Sequence, residues 1–256
     1  MEKPTPKPPR VDKKAVLIPE KKAASKPKFA GNIAIVTDDW GYNRSHCQYL
    51  QKIDAPIAVA ILPGQTYSRD IIQCSLAAGK EPMLHLPMEP HAYRESYPRA
   101  YFLTTDMSAR TARKLLVKFL TEMEGVVGVN NHTGSRGTED VQLVTTVLTE
   151  LKKRRLFFLD SYTSERSVCG VVAKKLKMRI GLRDVFLDNR NERAAIEQQF
   201  ASAVRIARKR GHVLMIGHDR ALTLQIIDEQ VKKLKAEGFE FLPVKEYIRR
   251  YEYSRD

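Results

Sequence analysis

From residue 32 onward, short apolar runs alternate with amphipathic stretches of helical period. The runs at 32–36 (NIAIV), 57–62 (IAVAIL), 82–86 (PMLHL), 126–129 (VVGV), 156–159 (LFFL), 213–216 (VLMI) and 239–244 (FEFLPV) have the length of buried parallel strands. Between them, Ser108 caps a period in which Leu115, Leu116, Phe119, Leu120 and Met123 share a face, stopped at Gly125. Val141, Val144, Val147, Leu148 and Leu151 follow Thr138-Glu139-Asp140 at the same spacing. Ile196, Phe200, Val204 and Ala207 lead to Gly211, and Thr223 opens a last period through Ile226, Ile227, Val231 and Leu234, closed near Gly238. The alternation predicts an α/β fold, a parallel sheet or barrel of about seven strands. In such folds the chemistry gathers beyond the C-terminal ends of the strands.

Those ends carry the reactive residues. Asp38 and Asp39 follow the first run, His85 closes the third, and His132 follows the fourth within Asn130-Asn131-His132-Thr133-Gly134-Ser135. Asp160 and Ser161 follow the fifth, and His218-Asp219 the sixth. A parallel sheet brings all five ends to one rim. One Asp with two His suits zinc, with manganese or cobalt as substitutes, and three protein ligands leave a position for water. A second carboxylate can take a proton from that water, and a further His can protonate a leaving group. His46, His91 and His212 fall outside this pattern and read as structural. A Ser-His-Asp arrangement using Ser135 or Ser161 lacks the G-x-S-x-G elbow and leaves the aspartate pair idle. No G-x-G-x-x-G or P-loop follows the first run, so dinucleotide and NTP binding are not expected.

Composition changes this picture in one respect. The 256 residues hold 44 Lys/Arg against 30 Asp/Glu, a net charge of +14. Residues 1–28 hold nine Lys/Arg, three Asp/Glu and six of the thirteen prolines, so this segment alone carries +6 and reads as a disordered basic leader ahead of a domain over 29–256. The rest lies in helix-like clusters such as 152–155, with no interleaved aromatics, so specific nucleic-acid binding is not expected. The leader suits electrostatic contact with an anionic envelope surface. Three separated cysteines, Cys47, Cys74 and Cys169, form no C-x-x-C, and reduced thiols are compatible with the spacing. No run reaches a membrane span and no signal-peptide core is present.

The motifs at the strand ends resemble those of the divergent polysaccharide deacetylase family, a branch of the carbohydrate deacetylases, over residues 31–248. They are IAIVTDDWGY at 33–42, MLHLPMEP at 83–90, GVNNHTGS at 128–135, FLDS at 158–161, RDVFLD at 183–188 and IGHD at 216–219 with Thr223. The resemblance implies an irregular (β/α) barrel and a metal-dependent hydrolase acting on an N- or O-acetylated polysaccharide or oligosaccharide. It implies Asp38 as catalytic base, His218 as acid, and Asp39 and His85 as ligands of a divalent metal, zinc first. Where the wider superfamily has its second ligand histidine, Glu89 stands, so the third ligand is His132 or, as the alternative, Glu89. Asp160 or Asp188 would orient His218, and Asn131 and Ser135 would contact or support the substrate. A degenerate carbohydrate-binding barrel and another metal-assisted hydrolase are the competing readings. Acetylated envelope glycans imply the envelope or periplasm as location; a chain complete as given would be cytoplasmic. The residues say nothing of oligomeric state.

Overall fold

Nine strands, all parallel, form one sheet in the described residues, which are 1–3, 28–92 and 99–251 of this computed structural model. They are β1 (Gly31–Trp40), β2 (Ile57–Ile61), β3 (Glu81–Met88), β4 (Gly128–Thr133), β5 (Phe157–Asp160), β6 (Gly181–Leu182), β7 (Val185–Phe186), β8 (His212–His218) and β9 (Phe239–Phe241). The order is β6-β5-β4-β3-β2-β1-β8-β7, with β9 branching from β1. Residues 181–186 bond β5 through β6 and β8 through β7, so one short segment spans both edges and the sheet curls into an irregular barrel. No strand is expected in this segment from the sequence, because two-residue strands carry no period. The leader read over 1–28 lies, apart from residues 1–3 and Lys28, outside the described residues.

Eight helices flank the sheet in these residues: α1 (Cys47–Lys52), α2 (Ser68–Ala77), α3 (Ala109–Glu122), α4 (Val141–Lys153), α5 (Cys169–Lys175), α6 (Arg193–Arg210), α7 (Ala221–Ala236) and α8 (Val244–Arg250). Ser108 caps α3 by accepting the Thr111 N–H, and Asp140 caps α4 by accepting that of Leu143. The last amphipathic period begins at Ala221, two residues before the expected Thr223. None of the described helices is long and apolar enough to cross a membrane.

Alternation along each strand sorts the apolar residues into two cores. Ile33, Ile35, Ile57, Val59, Leu84, Leu86, Val213 and Met215 face outward and pack on the helices. Ala34, Val36, Ala58, Ala60, Met83, Leu159, Leu214 and Ile216 face inward, with small alanines where the barrel is tight. Val244, Tyr247 and Ile248 of α8 pack on this inner set, and Glu81 at the start of β3 accepts the Val244 N–H. The N-terminal end of the barrel is therefore a closed floor. Gly128 opens β4 at an inward position; a Cβ there would lie 2.3 Å from the Phe157 ring, so no other residue fits.

Of the three cysteines, whose odd number precludes full pairing, two are joined. Cys47 and Cys74 form a disulfide joining α1 to α2, while Cys169 is free and buried. Their 27-residue separation conceals a Cα distance of 6.1 Å, which only the packing of two neighbouring helices creates.

Candidate metal and acid–base centre

The inward alternation continues past the apolar core and changes chemistry. Ala34 and Val36 are followed by Asp38, Met83 by His85, Leu214 and Ile216 by His218, and Phe186 by Asp188. On β4 the inward positions are Gly128, Asn130 and His132. The rim is the top layer of the same side-chain stack whose lower layers are hydrophobic.

Asp39 breaks the alternation. Between Thr37↔Val59 and Trp40↔Ile61, β1 places two residues opposite one of β2, a bulge, and Asp39 has φ of +60°. A non-glycine residue there is strained, and the consequence is that both adjacent carboxylates face the rim.

Asp39 Oδ1 lies 3.1 Å from His85 Nε2 and 3.0 Å from His132 Nδ1, and the two imidazole nitrogens are 3.1 Å apart. Ligand atoms around a tetrahedral zinc at about 2.0–2.1 Å stand roughly 3.3 Å from one another, so this triangle has the size of one face of such a shell. The tautomers agree with that use. Asn130 Oδ1 accepts the His85 Nδ1 proton at 2.9 Å while its amide donates to Ser161 Oγ, which leaves a lone pair on His85 Nε2 aimed at the group. Burial lowers the His85 pKa and keeps the ring in the neutral, ligating form. Burial opposes ionisation of Asp39, yet the adjacent imidazoles of His132 and His85 outweigh it and hold its carboxyl well below the usual carboxylate range. The donor set fits a divalent cation.

Beside this triangle stand Asp38 and His218. Asp38 is 3% exposed, its Oδ2 is 3.8 Å from His85 Nε2, and its Oδ1 has no hydrogen-bond partner. Burial raises its pKa well above the ordinary value, against the pull of His218. His218 Nε2 is 3.8 Å from Asp38 Oδ1, and His218 Nδ1 donates to Asp188 Oδ1 at 2.6 Å. Asp188 also accepts the His218 N–H and the Thr223 hydroxyl, the latter at 2.7 Å. Burial lowers the His218 pKa, but the Asp188 hydrogen bond and the Asp38 charge reverse this and raise it to about 9. The rim thus holds a buried carboxylate and a cationic imidazole next to each other beside the ligand triangle.

The remaining sequence candidates fall in different places. Asn131 lines the cavity and accepts the Ser161 N–H. Glu89 is buried away from the triangle, its Oε2 accepting from Thr105 N and Oγ1 and its Oε1 lying 3.5 Å from Arg136. Asp160 points outward from β5 and accepts from Tyr162 N and Ser167 Oγ, so Asp188, not Asp160, holds His218. Ser135 ties the His91 N–H. Asn130 and Asp219 are neighbours of the site to which the sequence reading assigned no role. The inward parity of β4 would have found the first. The second accepts from His46 at 2.6 Å, giving that histidine a place beside the rim, and burial raises Asp219 to about 6. A cavity of about 420 Å³ opens over the group, walled by Tyr42, Leu62, Phe102 and Phe186.

The chain belongs to the divergent polysaccharide deacetylase family, whose model matches residues 35–248. An uncharacterized protein of Haemophilus influenzae is 35% identical over 202 residues, which are 79% of this chain and 71% of that protein. Among solved structures, an uncharacterized protein of Agrobacterium tumefaciens superposes with a TM-score of 0.81 at 23% identity, covering 86% of this chain and 90% of its own. The peptidoglycan deacetylase PdaC of Bacillus subtilis shares the fold more distantly, with a TM-score of 0.51 at 17% identity over 86% and 92% of the two chains. The irregular barrel expected from the sequence is the fold of this family.

Proposed function

We propose that the protein is a metal-dependent hydrolase that removes acetyl groups from an N- or O-acetylated polysaccharide. One observation carries the reading: a carboxylate and two imidazoles converge within 3.1 Å, and beside them stand a second carboxylate and a further histidine 3.8 Å apart. Asp39, His85 and His132 would hold the cation, zinc before manganese or cobalt. Glu89, occupied by Thr105 and Arg136, is not needed as a ligand. The bound cation would supply a positive charge to polarise the acetyl carbonyl and acidify a water. Asp38 takes the proton of the attacking water, and its burial, at 3% exposed, keeps that proton transfer local. His218 gives its Nε2 proton to the departing amine nitrogen or alkoxide oxygen, releasing acetate and the free sugar group. Asp188, fixed by Thr223, holds the imidazole in the tautomer that presents that proton. Tyr42, Phe102 and Phe186 offer apolar faces to a sugar ring and its acetyl methyl. The disulfide between Cys47 and Cys74 and an acetylated envelope glycan both suit an oxidising envelope compartment.

The test is metal content of the purified protein together with acetate release from acetylated glycans. The reading requires about one tightly held cation per chain and acetate release that Asp39→Asn abolishes. A protein that takes up no metal, or one whose glycan binding is intact without metal and without turnover, would overturn it in favour of a carbohydrate-binding barrel.

A further inference from the structure

Asp39 presents its two carboxylate oxygens to two different clusters. Oδ1 meets His85 and His132, while Oδ2 faces the other way, 4.0 Å from His218 Nε2. That nitrogen is also 3.8 Å from Asp38 Oδ1, a buried carboxylate oxygen without a hydrogen-bond partner. A buried carboxylate oxygen without a donor is costly, and His218 at 3.8 Å stands too far away to donate to it. Two atoms bound to one zinc-sized cation at about 2.0–2.2 Å can be no more than roughly 4.3 Å apart, and both separations fall inside that limit. The far side of His218 is already arranged as a metal-bound imidazole requires, since its Nδ1 donates to Asp188 at 2.6 Å.

We infer that the rim holds a second divalent-cation site, built from Asp38 Oδ1, Asp39 Oδ2 and His218 Nε2, with Asp39 bridging the two cations. The inference rests on the reading of Asp39, His85 and His132 as the first site. Its consequence is regulatory. Occupying the second site engages the lone pair of Asp38 and replaces the proton on His218 Nε2, so the base and the acid are withdrawn together and excess metal inhibits. Repulsion between neighbouring cations makes the second site the weaker one.

The experiment is a zinc titration of chelator-stripped protein, with bound equivalents counted by native mass spectrometry and acetate release followed in parallel. Wild-type protein should bind one equivalent tightly and a second about tenfold or more weakly, with turnover falling as the second is filled. Asp38→Asn and His218→Gln should each keep one equivalent and lose the second, Asp39→Asn should lose both, and His91→Ala, an exposed histidine elsewhere, should keep two. A single equivalent in wild type at excess zinc overturns the second site and leaves the deacetylase reading standing. A second equivalent that survives both Asp38→Asn and His218→Gln lies elsewhere and overturns it equally. No bound zinc in wild type would sink the first reading, and this one with it.

Discussion

Two histidines stand at opposite ends of β8, six residues apart on the same inward face, one neutral and one cationic at neutral pH. At the floor, burial and the nearby Arg210 charge hold His212 down at about 4. Its ring stacks on Tyr251 at 3.8 Å and its Nδ1 meets the Tyr247 hydroxyl at 2.7 Å. At the rim, burial works in the same direction on His218, but Asp188 and Asp38 overcome it and raise it to about 9. Burial pushes both imidazoles towards the neutral form, and the carboxylate bonded to the ring of His218 is what reverses it at the rim. Of the five residues between the two ends, Val213 to Ile216 are apolar and fully buried, so each end keeps its own electrostatics.

The contrast can be broken at several points. The largest effect is expected from His218→Gln, which should cut acetate release by about 10²–10⁴-fold, the range of a lost general acid, while His212→Gln leaves turnover close to wild type. Comparable loss from the two variants would erase the division between floor and rim. Next, Ile216→Ala opens a cavity in the inner core and should cost about 2–5 kcal/mol in denaturant unfolding, with metal still bound by the folded fraction. Metal lost ahead of unfolding would mean the rim depends on the layer below it. Asn130→Ala frees the ring of His85 and should weaken zinc by about 10–100-fold in a chelator competition, with little change in the pH dependence set by His218.

The smallest effect is the pH dependence of stability in cation-free protein. Because the folded pKa of His212, about 4, lies below its ordinary 6.5, the unfolded chain binds a proton that the fold refuses between those values, and stability falls as pH drops through that window. His212→Gln should flatten this acid limb. His218 has the opposite sign: its stabilisation is complete below 6.5 and is lost as pH rises towards about 9, so His218→Gln should flatten only the alkaline limb. Urea midpoints across pH check both; exchanged behaviour of the two variants would refute the assignment.

Much of this was legible from residue order alone. Six of the seven apolar runs are barrel strands and the seventh, over 239–244, includes the branching β9 with the start of α8. The convergence of Asp38, Asp39, His85, His132 and His218 followed from where those runs end. Residues off the strand period were harder to place. Asp160 and Asp188 look alike as acids after apolar residues, yet Asp160 falls outward of Leu159 and Asp188 inward after Phe186. Counting inward parity separates them only once the two-residue β7 is known to be a strand. Glu89 occupies the position of an expected ligand, but the loop beyond it returns Thr105 to its carboxylate.

The sequence by itself determined the alternation of strand and helix, the inward stack of small and apolar residues, and the reactive types that crown it, because these depend on local period and on burial. Tertiary structure decided the rest. It set the bulge that turns both aspartates to one side, the closing of the barrel by residues 181–186, the disulfide across α1 and α2, and the partner that charges one histidine of β8 and not the other. Each of these depends on the distance between atoms far apart along the chain, to which periodicity is blind.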